Sequence, residues 1–231
     1  MHIYLTRHRN ADLPESIARV FTRSARWATA IVIAGAVMSS PRPIAGQAAG
    51  TGNNAADVQF MQGMIAHHAQ ALAMVALIST NTTRPELQMI GERIRISQQD
   101  EIGMMQRWLT AHHEVVPTVD SNNVAHMPPT MMPGMQMSGT TTMMMPGMLT
   151  PEQMTQLANA KGTDFDTLFL KGMIRHHEGA LLMVKDLFGT NGAAQAPEVF
   201  TFASDADADQ RAEIKRMQTV LTAISGQGHK S

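Results

Sequence analysis

Asp57-Val-Gln-Phe60-Met-Gln-Gly63-Met64-Ile-Ala-His67-His68-Ala-Gln-Ala71-Leu-Ala-Met74 returns later in the chain as Asp166-Thr-Leu-Phe169-Leu-Lys-Gly172-Met173-Ile-Arg-His176-His177-Glu-Gly-Ala180-Leu-Leu-Met183. Aspartate, phenylalanine, Gly-Met-Ile, His-His, alanine and methionine recur at a constant offset of 109 residues, as duplicated architecture requires. In the first copy Phe60, Met64, His67, Ala71, Met74 and Ile78 fall on one broad face of a helix. A related pair of stretches follows. Residues 87–109 carry Glu101-Ile102, Met105 and Gln106, and residues 199–221 carry Glu213-Ile214, Met217 and Gln218, now offset by 112. Each repeat therefore reads as a long helix, a loop and a second long helix, with loops that differ by three residues. Four such helices bury their apolar faces most simply by packing together, so the expected fold is all-α, two duplicated hairpins forming a four-helix bundle.

Local signals place the boundaries. Asn53 or Asn54 can cap the first helix, with Asp57 in its opening turn. Asp57 and Asp166 accordingly read as helix-start residues rather than ligands. Thr150-Pro151-Glu152-Gln153 has the hydroxyl, proline and glutamine of a capping box, so a short helix begins there. Asn81 with Pro85, and Asn191-Gly192 with Pro197, interrupt the two hairpins. The expected organisation is a leader over 1–48, a first hairpin over 49–120, a Met/Pro/Gly-rich connector over 121–149 and a second hairpin over 150–231.

The leader has the three regions of a secretory signal: Arg19, Arg23 and Arg26, an apolar run over 27–38, and Gly46-Gln47-Ala48 with small residues where a peptidase reads. About 12 apolar residues fall short of the roughly 20 needed to span a bilayer, so a retained anchor is the weaker alternative. The expectation is a periplasmic or secreted protein with no integral membrane domain after cleavage. Beyond residue 48 there remain 12 basic and 17 acidic side chains, with no dense basic patch for nucleic acid. The chain has no cysteine, which excludes disulfides, thiolate metal sites and a thiol nucleophile.

The 21 methionines are the other compositional signal, because thioethers are soft ligands suited to Cu(I). Met64 stands three and four residues before His67 and His68, on neighbouring turns, and Met173 repeats this before His176 and His177. Met61 adds a donor in the first copy, where the second has Leu170. Adjacent histidines point about 100° apart, so both members of a pair cannot serve one face equally. Glu101 and Glu213 can orient an imidazole through its second nitrogen. Met105 and Met217 read as core residues that could complete a soft environment. The connector holds nine methionines in the 23 residues from His126 to Met148, broken by proline and glycine, so a regular apolar face does not explain them. His126, Met131, Met135, Met143, Met144 and Met148 are its candidate ligands. The Glu-x-x-His pairs of a di-iron bundle are missing from both hairpins, and there is neither HExxH nor a phosphate loop.

These motifs, above all Phe60/Phe169, Gly-Met-Ile, His-His, Ala71/Ala180 and Met74/Met183, resemble the repeated motif of the DUF305 family over roughly residues 54–225. The resemblance implies a ferritin-like four-helix bundle and export, and in some members periplasmic copper binding and copper tolerance. Carried onto this sequence it points to Met64, His67, His68, Met173, His176 and His177, with Met61, Met74 and Met183 as further candidates. The expected function is sequestration or transport of copper, as Cu(I), without catalysis, with an envelope copper-handling protein as a partner. The alternative is a non-metal module that binds an envelope protein.

Overall fold

The computed structural model describes residues 54–126 and 144–227; the expected signal segment and Met131, Met135 and Met143 of the connector lie outside them. Helices α1 (Ala55–Ala76), α2 (Ile78–Asn81) and α3 (Pro85–Ala111) form the first hairpin. A small antiparallel pair, β1 (Thr118–Val119) and β2 (Ala125–His126), follows. Then come α4 (Pro151–Asn159), α5 (Gly162–Gly189) and α6 (Pro197–Gln227). The all-α expectation holds, with α1, α3, α5 and α6 as the four long helices.

The caps are those the sequence announces. The Asn54 side chain accepts from the Ala56 amide, and Thr150 with Gln153 makes a complete capping box. Pro85, Pro151 and Pro197 each open a helix, where a missing N–H costs nothing. One expectation is modified: the first helix does not run unbroken to Ile78. It ends at Ala76 and a single turn restarts beyond Leu77, turning Ile78 into α3 where Gly91 leaves room for its side chain.

Helix α1 packs on both α3 and α5, and α5 packs on α6. Because α1 has neighbours on two sides, 13 of its residues are buried, more than one amphipathic stripe supplies. Its apolar window is long enough to cross a membrane, yet 56% of it is buried inside the bundle, as befits a core helix. Two apolar clusters form the core. One gathers Phe60, Met64, Leu109, Val184 and Phe202; the other gathers Met74, Leu87, Phe165, Phe169 and Leu170. The histidine pairs fall between them along α1 and α5.

Each hairpin also holds the loop of the other. Asp57 accepts from the Ala194 amide at 2.7 Å and Asn54 donates to the Gly192 carbonyl, both in the turn of the second hairpin. Reciprocally, Asp166 takes the Arg84 guanidinium at 2.6 Å, while Asn81 donates to the Ala158 and Ala160 carbonyls at 2.9 and 2.8 Å. The two aspartates are thus clasps between repeats as well as residues near helix starts. Neither hairpin satisfies its own polar groups alone, so the two halves fold as one cooperative unit.

Candidate metal centre

Both histidines of each pair are fully buried, at 0% exposure. Their different directions are resolved by the two-sided burial of α1 and α5. His67 faces α5, where its ring lies on His176 with centroids 3.7 Å apart and planes 39° apart. His68 faces α3 and its Nε2 meets Glu101 Oε2 at 2.5 Å; His177 Nε2 meets Glu213 Oε2 at 2.6 Å. Two equivalent carboxylate–imidazole pairs therefore flank one central imidazole stack.

A short strap of chain, residues 144–150, crosses the α1–α5 face over this stack. Its Pro146 carbonyl accepts from His67 Nε2 at 3.0 Å. Gln70 grips the strap by both backbone groups of Leu149, donating at 2.9 Å and accepting at 2.7 Å. The repeat puts Gly179 where the first copy has Gln70, and a Cβ there would collide with the Pro146 carbonyl. Gly147, at φ +78°, would collide with the Arg175 carbonyl if it carried a side chain. Met145 lays its sulfur against Gly63, and Leu149 packs on Gly172, so the repeated glycines accept the two flanks of the strap. Gly179→Ala is expected to lift the strap, expose His67 and cost about 1–3 kcal/mol, the usual scale for overpacking, measured by urea unfolding.

The strap and the glutamates decide which ring nitrogens are free. A carbonyl oxygen only accepts, so His67 Nε2 carries the proton and Nδ1 keeps its lone pair. Glu101 and Glu213 likewise accept from Nε2 of His68 and His177. The Nδ1 atoms of His67, His68 and His177, and both nitrogens of His176, are buried without a hydrogen-bond partner among the described residues. Such orphaned groups each cost about 1–3 kcal/mol, so five in one cluster mark a place built for something other than stability.

Electrostatics keeps the stack neutral. Burial, then repulsion from His68, pushes His67 down to about 3, against which the Pro146 hydrogen bond is a minor opposing effect. Burial and then the neighbouring histidines push His176 well below the ordinary value. At Glu101 burial acts upward, but the His68 contact and the Ser97 hydroxyl at 2.9 Å outweigh it and hold the carboxyl low. The neutral His67 and His176 rings, flanked by the two carboxylate-bound histidines, offer imidazole nitrogens that could receive a cation.

Of the candidate thioethers, Met64 and Met173 are each 0% exposed, one turn before the histidines, and Met61 is 2% exposed, two turns before them. Among the described residues no three His, Asp or Glu side chains converge to hold an ion by themselves. Met148 is buried at 6%, Met144 is 49% exposed, and His126 is exposed and bonded to Asp120 at 3.0 Å. Sequence reasoning missed the Pro146 carbonyl and Met145. It also missed Gln98 and Gln210, which are repeat-equivalent, 1% and 2% exposed and incompletely hydrogen-bonded. Their offset of 112, shared with Glu101 and Glu213, was the available signal.

The family model described as "Domain of unknown function (DUF305)" matches residues 57–221, most of the chain. The chain belongs to the DUF305 family. A DUF305 fragment from Deinococcus radiodurans is 27% identical, with a TM-score of 0.58 over 74% of this chain and 99% of that one. A putative secreted DUF305 protein from Streptomyces coelicolor shares the fold at 23% identity and a TM-score of 0.58, over 74% of this chain and 94% of that one. CopM in its Cu(I)-bound form is 26% identical with a TM-score of 0.52, covering 72% of this chain and 96% of that one. No curated protein sequence matches. The resemblance read from the repeat is thus the family, and the DUF305 fold is the bundle described above.

Proposed function

We propose that this DUF305 protein binds copper outside the cytoplasm, sequestering or carrying the ion and so supporting copper tolerance. The carrying observation is the buried cluster of four histidines, whose Nδ1 atoms find no hydrogen-bond partner among the described residues, bordered by buried thioethers. Imidazole and thioether together suit Cu(I), while Glu101 and Glu213 offset its charge and orient His68 and His177. Met64, His67, His68, Met173, His176 and His177 form the core donor set, with Met61 beside it, and the connector methionines supply additional capture. Kinship with CopM, whose structures include Cu(I)-bound and Cu(II)-bound forms, supports the choice of metal. The signal-like leader and the secreted relative support a periplasmic or exported location.

The test is an anaerobic Cu(I) titration against a competing chelator. Replacing Met64 and Met173 together with leucine removes two sulfurs at nearly constant volume, a swap that typically costs under about 1.5 kcal/mol each. The expected outcome is a folded protein whose Cu(I) affinity falls by about ten-fold or more, the range seen when a metal environment is altered. Stoichiometry near zero in the unaltered protein would sink the copper reading and favour the envelope interaction module.

A further inference from the structure

The strap over the imidazole stack is held very differently at its two ends. Downstream, Met148 and Leu149 are buried. Arg175 donates to the Met148 carbonyl at 3.3 Å and to Gln153 at 2.7 Å, Gln70 clamps both backbone groups of Leu149, and Thr150 caps α4. Upstream, Met144 and Pro146 are exposed and Met145 is half-buried. Among the described residues, one hydrogen bond joins residues 144–146 to the helices, and its donor is His67 Nε2 itself.

Between the two ends lies a self-contained turn. The Met148 N–H donates to the Met145 carbonyl at 3.2 Å around Pro146 and Gly147, the latter at φ +78°, as a type II turn requires. A plug built only for stability would set an apolar side chain on the stack. Here the residue above the fully buried His67 is an exposed proline that offers its carbonyl. That contact exchanges readily with water, since the N–H and the carbonyl are each solvated once apart, so local opening costs far less than unfolding. The upstream flank is equally easy to release. Met145 rests its sulfur against Gly63, which has no side chain to interlock with it and lies one turn before His67 on the same face of α1.

We propose that residues 144–147 form a hinged cover over the His67–His176 stack, anchored at residues 148–150 and latched by the His67–Pro146 hydrogen bond, which opens to admit a soft cation. The proposal rests on the copper reading. Latch and site share an atom: while the cover is closed, Nε2 of His67 serves the Pro146 carbonyl, and while it is open, solvent reaches that ring and the His176 ring stacked 3.7 Å from it. Met145 travels with the cover, so closure brings a thioether, a donor suited to Cu(I), down beside His67 as the ion is shut in.

The test reads opening first without metal. The metal-free full chain, near neutral pH, is treated with diethyl pyrocarbonate, which acylates accessible neutral imidazoles, and labelling of His67 and His177 is followed by tandem mass spectrometry. Pro146→Gly keeps the carbonyl but loosens an exposed turn, and should raise the His67 rate about three-fold, the scale of a freed proline position. Gly179→Ala, whose added Cβ meets the Pro146 carbonyl, should raise it by about ten-fold or more. His177, held against Glu213 inside the bundle, should keep its slow rate in both variants. Anaerobic uptake of Cu(I) from its bicinchoninate complex should quicken by the same factors, with final stoichiometry unchanged. Circular dichroism verifies the bundle. Equal His67 rates in all three proteins, or His67 and His177 rising together as in global unfolding, overturn the cover. Selective His67 labelling with an unchanged uptake rate overturns its part in loading while the copper reading stands. Absence of Cu(I) uptake by the unaltered chain overturns the copper reading and, with it, the admission of a cation beneath the cover.

Discussion

Replacing His176 with leucine should make the metal-free protein more stable while weakening its hold on copper. His176 is fully buried and its ring has no side-chain hydrogen-bond partner, only a contact with the His67 backbone, so the native side chain bears a desolvation cost that an apolar one of similar size does not. Removing that cost is worth about 2 kcal/mol, within the 1–3 kcal/mol typical of one unsatisfied buried group. In a domain of this size that raises the thermal midpoint by roughly 4–8 °C, read by calorimetry without metal. The same variant removes a donor from the centre of the cluster, and chelator competition should show at least a ten-fold loss of Cu(I) affinity. A purely structural histidine predicts the opposite sign for the stability change. A fall in the midpoint would therefore assign His176 to the core rather than to a ligand.

Acid should destabilise the metal-free bundle well before its carboxylates titrate. In the unfolded chain a histidine takes up its proton near pH 6.5, whereas folded His67 resists protonation down to about 3 and His176 is also held far below its ordinary value. Between those limits the unfolded state binds more protons, so stability is full above about pH 6.5 and is lost steadily as pH falls. Each such histidine removes about 2 kcal/mol between pH 7 and pH 5, so the two together remove about 4 kcal/mol. Urea unfolding at a series of pH values should show this slope. His176→Leu should abolish about half of it. Glu101 acts in the same sense but only in the carboxylate range, since its folded value is lowered and its contribution disappears under stronger acid. Bound copper would protect against the first phase, because protons and metal compete for the same lone pairs.

The gap between sequence and structure lies in particular residues. The helical hairpins, the Asn54 and Thr150 caps and the Glu101–His68 type of contact were legible because each depends on residues close in sequence or on a repeat that announces its partner. Asp57 and Asp166 were read as local features and proved to be long-range clasps, since nothing in a single helix shows which loop will lie across its start. The problem of two adjacent histidines facing different ways had no answer within one helix. It is answered by α1 and α5 each having two neighbours, which puts both rings inside.

The repeated Met-x-x-His-His stretch by itself determined that the protein is a duplicated helical bundle with paired thioethers and imidazoles, because helical period and duplication are properties of the chain. What tertiary structure decided is which nitrogens are free. The Pro146 carbonyl, delivered by a strap that only Gly147 and Gly179 admit, and the carboxylates of Glu101 and Glu213 each occupy an Nε2. They leave the Nδ1 atoms of His67, His68 and His177 buried without a hydrogen-bond partner among the described residues. Lone-pair direction depends on what lies on the far side of each ring, and that is settled only when the helices pack.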